Sequence, residues 1–216
     1  MDKDLEFIES EQNYWGKIYT DIMFAISEVS PFVEEKKLKI RKYYVKKDVL
    51  KEYNKLLETA KSTNSKKSFF SLFKNNSSVD LIKDFKRKNL DDFNELEKCS
   101  SCECLNCSFN CNFKSCSSCR KGSHITFCDK DKVNARIFEN FTLDLVNNDT
   151  KITSKYKVLA VIENCELHKQ YILLENVKNN NDKLILYYYP GLKDDDFGEI
   201  TDIDEFNFVA EIYQSL

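Results

Sequence analysis

Cys99-Ser-Ser-Cys-Glu-Cys-Leu-Asn-Cys-Ser-Phe-Asn-Cys-Asn-Phe-Lys-Ser-Cys-Ser-Ser-Cys-Arg-Lys-Gly-Ser-His-Ile-Thr-Phe-Cys128 is the stretch on which the reading of this 216-residue chain turns. Before it, apolar residues recur at helical spacing; after it, they fall into short β-branched and aromatic runs. The change of period across one segment predicts an α+β chain in three parts. Residues 1–98 form a helical region with a linker at about 61–78, residues 99–132 form a Cys-rich metal-binding knot, and residues 133–216 form an acidic antiparallel β-meander closed by a helix.

Eight of the nine cysteines lie in the quoted segment: Cys99, Cys102, Cys104, Cys107, Cys111, Cys116, Cys119 and Cys128, with His124 inside the last gap. Three C-x2-C pairs occur among them, and such a turn places two thiolates on one side of a tight loop, where tetrahedral Zn²⁺ accepts both at about 2.3 Å. Eight thiolates therefore predict two zinc ions. The preferred partition sets Cys99 and Cys102 with Cys116 and Cys119, and leaves Cys104, Cys107, Cys111 and Cys128 for the second ion; His124 is able to replace any one cysteine. An iron-sulfur cluster is the alternative cofactor, disfavoured because the C-x2-C-x2-C-x3-C-P run is absent. The segment has almost no apolar residues of its own, so its order is expected to come from metal binding, about 10 kcal/mol or more per structural zinc. Cys165, beside Glu166 and His168, reads as an ordinary thiol.

Compartment bears on this chemistry. The first residues, Met1-Asp-Lys-Asp-Leu-Glu6, are acidic where a secretory signal needs a basic start, and no run approaches the roughly 18 to 20 apolar residues of a membrane span. A cytoplasmic protein without a transmembrane segment is expected, and a reducing compartment favours metal over disulfides. The net charge of −3 is uneven: 7 basic and 15 acidic side chains fall in residues 137–216, against 6 and 3 in residues 99–136. The acidic end disfavours nonspecific nucleic-acid binding and leaves the knot as the one basic candidate surface.

Working outward toward the N-terminus, Leu5, Ile8, Trp15, Ile18, Ile22 and Ile26 mark an amphipathic helix ended by Ser30-Pro31. A second helix is predicted at residues 47–60, a charged segment at 34–44 is read as helix, and a third helix runs from a Ser78 cap through Phe93 and Leu96. Within the linker, Phe69, Phe70, Leu72 and Phe73 read as a satellite core rather than a membrane or partner contact. Tyr14, Trp15, Tyr19 and Phe24 read as core and oligomer contacts rather than a ligand pocket.

Toward the C-terminus, strands are predicted at residues 138–146, 156–162, 170–177 and 183–189, with a brief strand at 200–203 and a final helix capped by Asp204. Tyr156-Lys-Val-Leu-Ala-Val-Ile, Lys169-Gln-Tyr-Ile-Leu-Leu-Glu, Leu184-Ile-Leu-Tyr-Tyr-Tyr and Gly198-Glu-Ile-Thr-Asp-Ile-Asp-Glu-Phe-Asn-Phe-Val-Ala-Glu-Ile-Tyr carry a resemblance. Through them, residues 156–216 resemble the YrzB-like small acidic domain of low-GC Gram-positive bacteria. The resemblance implies a compact sheet closed by a C-terminal helix, in a family with no established activity or ligand. The helical region and the knot lie outside it.

No P-loop, G-x-G-x-x-G, G-x-S-x-G or H-E-x-x-H motif is present, and 2 histidines give little acid-base equipment. The expected function is a non-enzymatic, zinc-stabilised adaptor or regulatory protein with a protein partner. Nucleic-acid binding by the knot is the alternative, with Lys114, Arg120, Lys121, Lys130, Lys132 and Arg136 on phosphates and Phe109 or Phe113 stacked on a base. A redox sensor or a metal-dependent enzyme, with Glu103 or Asp129 as base, is the second alternative.

Overall fold

In the computed structural model, which describes residues 3–65, 78–109, 122–130, 132–147, 150–191 and 194–216, the helical spacing of the N-terminal region becomes α1, Lys3–Val29. Its buried stripe is Ile8, Trp15, Ile18, Ile22, Ala25 and Val29, the 3- and 4-residue spacing of one helix face. Pro31, which lacks an N–H, follows where the helix stops. A short α2, Glu35–Leu38, and α3, Lys42–Ser65, come next; α3 is longer at both ends than its apolar spacing indicates. The single helix expected after Ser78 is two, α4 (Ser78–Lys88) and α5 (Leu90–Ser100). They meet at Asn89, where the i→i−4 pattern carries through: its amide and its Nδ2 both donate to the Phe85 carbonyl, at 3.2 and 2.9 Å, and its own carbonyl accepts the Phe93 amide. The linker cluster Phe69, Phe70, Leu72 and Phe73 lies outside the described residues.

The chain is mixed α+β, with N-terminal helices, a seven-stranded antiparallel sheet and a final helix. It divides into a helical unit, Met1–Ser100 with Leu105–Ser108, and a sheet unit, Ser101–Cys104 with Phe109–Leu216. The helical core is centred on Phe93, whose ring meets Trp15 edge-on at 4.6 Å and Tyr53 edge-on at 4.8 Å. Tyr53 keeps its hydroxyl satisfied by donating to Glu11 at 2.5 Å, and Lys86 donates to both oxygens of the same carboxylate. Glu95, largely buried, accepts from Lys42 at 3.2 Å and Lys46 at 2.7 Å.

The sheet unit contains β1 (Ser123–Cys128), β2 (Val133–Phe138), β3 (Thr142–Val146), β4 (Thr153–Asn164), β5 (Lys169–Asn176), β6 (Asn179–Tyr189) and β7 (Asp196–Glu199), then α6 (Ile203–Gln214). Their order is β1-β2-β4-β5-β6-β7, with β3 also on β4. The run at 138–146 is not one strand: Phe138 ends β2, Asn140 turns with φ 56°, and β3 starts at Thr142. The brief strand expected at 200–203 lies earlier, as β7, and Asp202 rather than Asp204 caps α6 by accepting from the amides of Asp204 and Glu205. β1 falls in a stretch read from the sequence as part of the metal knot.

A bulge in β4 sets the faces. Val158 pairs with Leu174 and Ala160 with Leu173, so Leu159 is the extra residue. Leu159 and Ala160 therefore turn to one side, with Ile162, Tyr171, Leu173 and Val209 of α6, while Val158 and Val161 turn to the other, with Phe138, Tyr156, Ile172, Leu174 and Tyr188. Each face carries its own core, which is why β4 and β5 read as nearly continuous apolar runs.

Two outcomes are expected. Phe93→Ala removes a fully buried ring and should destabilise the helical unit by about 3–5 kcal/mol, measured by denaturant unfolding through the fluorescence of Trp15, the single tryptophan. Burial alone would raise the Glu95 carboxyl, but the hydrogen bonds and charges of Lys46 and Lys42 outweigh it and hold it below its ordinary value. Its contribution is present above the unfolded value, about 4.3, and is lost as pH falls through the lower folded one. Glu95→Gln should thus lower stability by about 1 kcal/mol at neutral pH, with the deficit disappearing in unfolding curves taken below pH ~4.

Candidate metal centre

Cys99 sits in the last turn of α5, where the Ser100 hydroxyl donates to the Glu97 carbonyl at 2.7 Å, and it packs partly buried against the helical core. Residues 105–108 belong to the same unit. Leu105 is buried in the helical core, and two side chains ahead of the main body of α3 hold the backbone around it. The Tyr43 hydroxyl donates to the Leu105 carbonyl at 3.1 Å, while the Arg41 guanidinium donates to the Tyr43 oxygen at 2.8 Å and to the Cys107 carbonyl at 2.7 Å. A charged donor on a backbone carbonyl is stronger than a neutral one, so the second half of the Cys104-x2-Cys107 turn is fixed by the helical unit.

Residues 101–104 belong to the sheet unit, where the Glu103 amide donates to the Ile125 carbonyl of β1 at 2.9 Å. Cys102 and Cys104 are brought together there. The Cys104 side chain hydrogen-bonds the Cys102 sulfur, and the backbone amides of Cys104 and Ile125 add to it; together they overcome burial and the nearby Glu103 charge, which push the other way. The Cys102 thiol is lowered from 9.0 to about 7, into the range of thiols that ionise near neutrality and bind metal readily. Cys128 ends β1 and its sulfur lies 3.7 Å from the Lys130 carbonyl; His124 is on the same strand, in register with Ile137.

Of the eight predicted ligands, Cys111, Cys116 and Cys119 lie outside the described residues. Among the described residues the cysteines are free thiols, and no group of three or more His, Cys, Asp or Glu side chains gathers as a metal site. The paired Cys102 and Cys104 sulfurs, with amide donors on one of them, fit a thiophilic divalent ion in donor chemistry and supply two of the four positions that a tetrahedral zinc needs. Cys165 lies in the turn between β4 and β5, where its amide donates to the Lys132 carbonyl at 2.7 Å.

The structure describes three of the six basic residues proposed for phosphate contact. Lys130 and Lys132 are exposed, but Arg136 is buried in β2 with its guanidinium 3.4 Å from Glu163, so it is removed from the candidate surface. Lys114, Arg120, Lys121 and Phe113 lie outside the described residues; Phe109 is exposed. No helix among the described residues is long and apolar enough to cross a membrane. No family model, curated protein or solved structure matches the chain.

Arg41 and Tyr43 escape a reading of the sequence because their partners lie more than 60 positions away, and nothing local marks them. Their test is direct. Arg41→Ala strips the donor from the Cys107 carbonyl and should cost about 1–3 kcal/mol, with faster hydrogen exchange concentrated at residues 105–108. Tyr43→Phe should show a smaller change at the same amides. Unchanged exchange in both variants would mean that the turn is held by something else.

Proposed function

We propose that the chain is a non-enzymatic adaptor or regulatory protein of the cytoplasm whose cysteine segment is ordered by two zinc ions so that it binds another macromolecule, a protein partner being favoured. The observation that carries the reading is the Cys102–Cys104 pair: two sulfurs hydrogen-bonded to each other, with backbone amides donating to that of Cys102, whose thiol is lowered to about 7, inside a segment that supplies six further thiols. In this reading Cys99, Cys102, Cys104, Cys107, Cys111, Cys116, Cys119 and Cys128 hold the metal. Zinc when bound supplies folding free energy to a segment poor in apolar residues.

The chain's own residues do the rest. Arg41 orients the Cys107 carbonyl and Tyr43 the Leu105 carbonyl, the backbone of β1 holds the Cys102–Cys104 segment, and burial of Leu105 excludes water from the base of the turn. Closed tetrathiolate sites leave no open coordination position, which is why the reading is structural rather than catalytic. The YrzB-like resemblance of residues 156–216 belongs to the same proposal, with the sheet unit as a recognition module without chemistry of its own.

Elemental analysis by mass spectrometry, on protein purified without added metal or a metal-binding tag, is expected to find about two zinc ions per chain. Cys116→Ser combined with Cys119→Ser should lower that content to about one or below and leave the β-sheet circular dichroism in place. Iron with labile sulfide would replace zinc by a cluster, and absence of metal with oxidised thiols would overturn the reading. The adaptor part is tested by quantitative affinity capture with the native and doubly substituted chains: a protein partner lost with the zinc supports it, while nucleic acid released steeply by salt moves the function to the alternative.

A further inference from the structure

A cleft of about 680 Å³ runs across the second face of the sheet unit, between β3 on one side and β7 on the other. Its floor is apolar: Tyr156, Leu184 and Leu186 come from the sheet interior, and Leu145 and Phe197 from the two walls. The rim is also apolar in part, since Val146 is 56 % and Ile152 62 % exposed. Large apolar side chains left in water along a groove mark a contact surface more often than a tolerated defect.

Two further features say what would lie in it. β3 pairs only with β4 and β7 only with β6, so among the described residues each wall keeps one strand edge without a neighbour. Such an edge presents a row of backbone N–H and C=O groups to an incoming extended chain. Among the described residues the charge on the lining is of one sign: Asp144, Asp195, Asp196 and Glu199 contribute to the cleft, and no described lysine or arginine does. Asp195 already accepts from the Tyr188 hydroxyl at 3.1 Å and the Gly191 amide at 3.2 Å. Asp144, Asp196 and Glu199 form no salt bridge among the described residues.

We propose that this cleft binds an extended, basic segment of a partner protein, added as a strand to the free edge of β7, with alternate apolar side chains on the Leu184–Leu186–Phe197 floor, the face that also carries Glu199, and the intervening lysine or arginine side chains on the opposite face toward Asp196. Strand addition supplies backbone hydrogen bonds that do not depend on sequence, and the period-2 alternation of apolar and basic side chains supplies the specificity. Opposite charge steers the encounter and rejects acidic segments. β7 is favoured over β3 because Asp195, Asp196 and Glu199 sit on it or just before it. The proposal adds a partner chemistry to the adaptor reading but does not depend on zinc, and the two fail separately.

The experiment is titration of the full ¹⁵N-labelled chain with a capped peptide of about eight residues alternating lysine and valine, alongside its glutamate-valine counterpart. Saturable shifts concentrated at Leu145, Val146, Phe197, Gly198 and Glu199, with the basic peptide alone, are the expected result. Asp196→Lys combined with Glu199→Lys should weaken binding by about tenfold or more, and Asp196→Asn with Glu199→Gln by less, in chains whose β-sheet circular dichroism is unchanged. The idea is overturned by absence of saturation, by equal binding of the acidic peptide, by shifts confined to the helical unit, or by anionic vesicles or oligonucleotides shifting the same residues. Zinc content is measured on the same samples. Metal-free protein that still binds the peptide sinks the zinc reading and leaves the cleft standing, and zinc-loaded protein that does not bind does the reverse.

Discussion

Every strand of the sheet unit takes its place from β4. The C-terminal half of β4 pairs with β2, its N-terminal half with β3, and residues 156–164 with β5, so β1, β6 and β7 are built outward from neighbours that β4 has already positioned. The bulge at Leu159 decides which residues look which way. Without it, Ala160 and Ile162 would share a face with Val158, and one core would be overfilled while the other lost Val161. A single extra residue thus produces two cores on one sheet, one closed by α6 through Val209 and the other left with a cleft over it.

Much of this is legible in the chain, and the places where it is not have physical causes. The helices announce themselves because Ile8, Trp15, Ile18 and Ile22 must share a face to be buried. The division at Asn89 is silent, since apolar spacing and the i→i−4 hydrogen bonds both run on through Phe93. At the other end two aspartates, Asp202 and Asp204, offer equal caps by residue type, and the choice of Asp202 follows from the φ/ψ of the incoming chain. β1 was hidden by chemistry. A bulge at Thr126 interrupts its alternation, setting Ile125 opposite Arg136 and Phe127 opposite Ala135, and the cysteine spacing invites reading the same residues as loop ligands.

The cysteine segment shows how a region with few apolar residues is nonetheless tied down. Leu105 is the one side chain of residues 105–108 buried in the helical core, and it is accompanied by donors from Arg41 and Tyr43 that satisfy carbonyls a buried turn would otherwise leave unpaired. Residues 101–104 use β1 in the same way, through Glu103 and Ile125. Which thiols are candidate ligands is legible from spacing alone; which of them meet is a matter of tertiary contact, and Cys102 with Cys104 is an x1 pair rather than one of the three C-x2-C turns that spacing singles out.

The uneven load on β4 carries an evolutionary consequence. Residues 160–164 are clasped on both sides, by β2 and β5, and contribute Ala160, Val161, Ile162 and Asn164 to the interior, so substitutions there must satisfy packing on two faces at once. Residues 153–157 answer only to β5 at their inner end and to β3, a five-residue strand whose outward side chains Thr142, Asp144 and Val146 are exposed. Drift, length changes and recruitment of new contacts are therefore cheapest along β3 and the turn that follows it. In descendants of this sequence the wall of the cleft formed by β3 would diversify while its floor stayed the same, letting one scaffold change its surface without relearning how to fold.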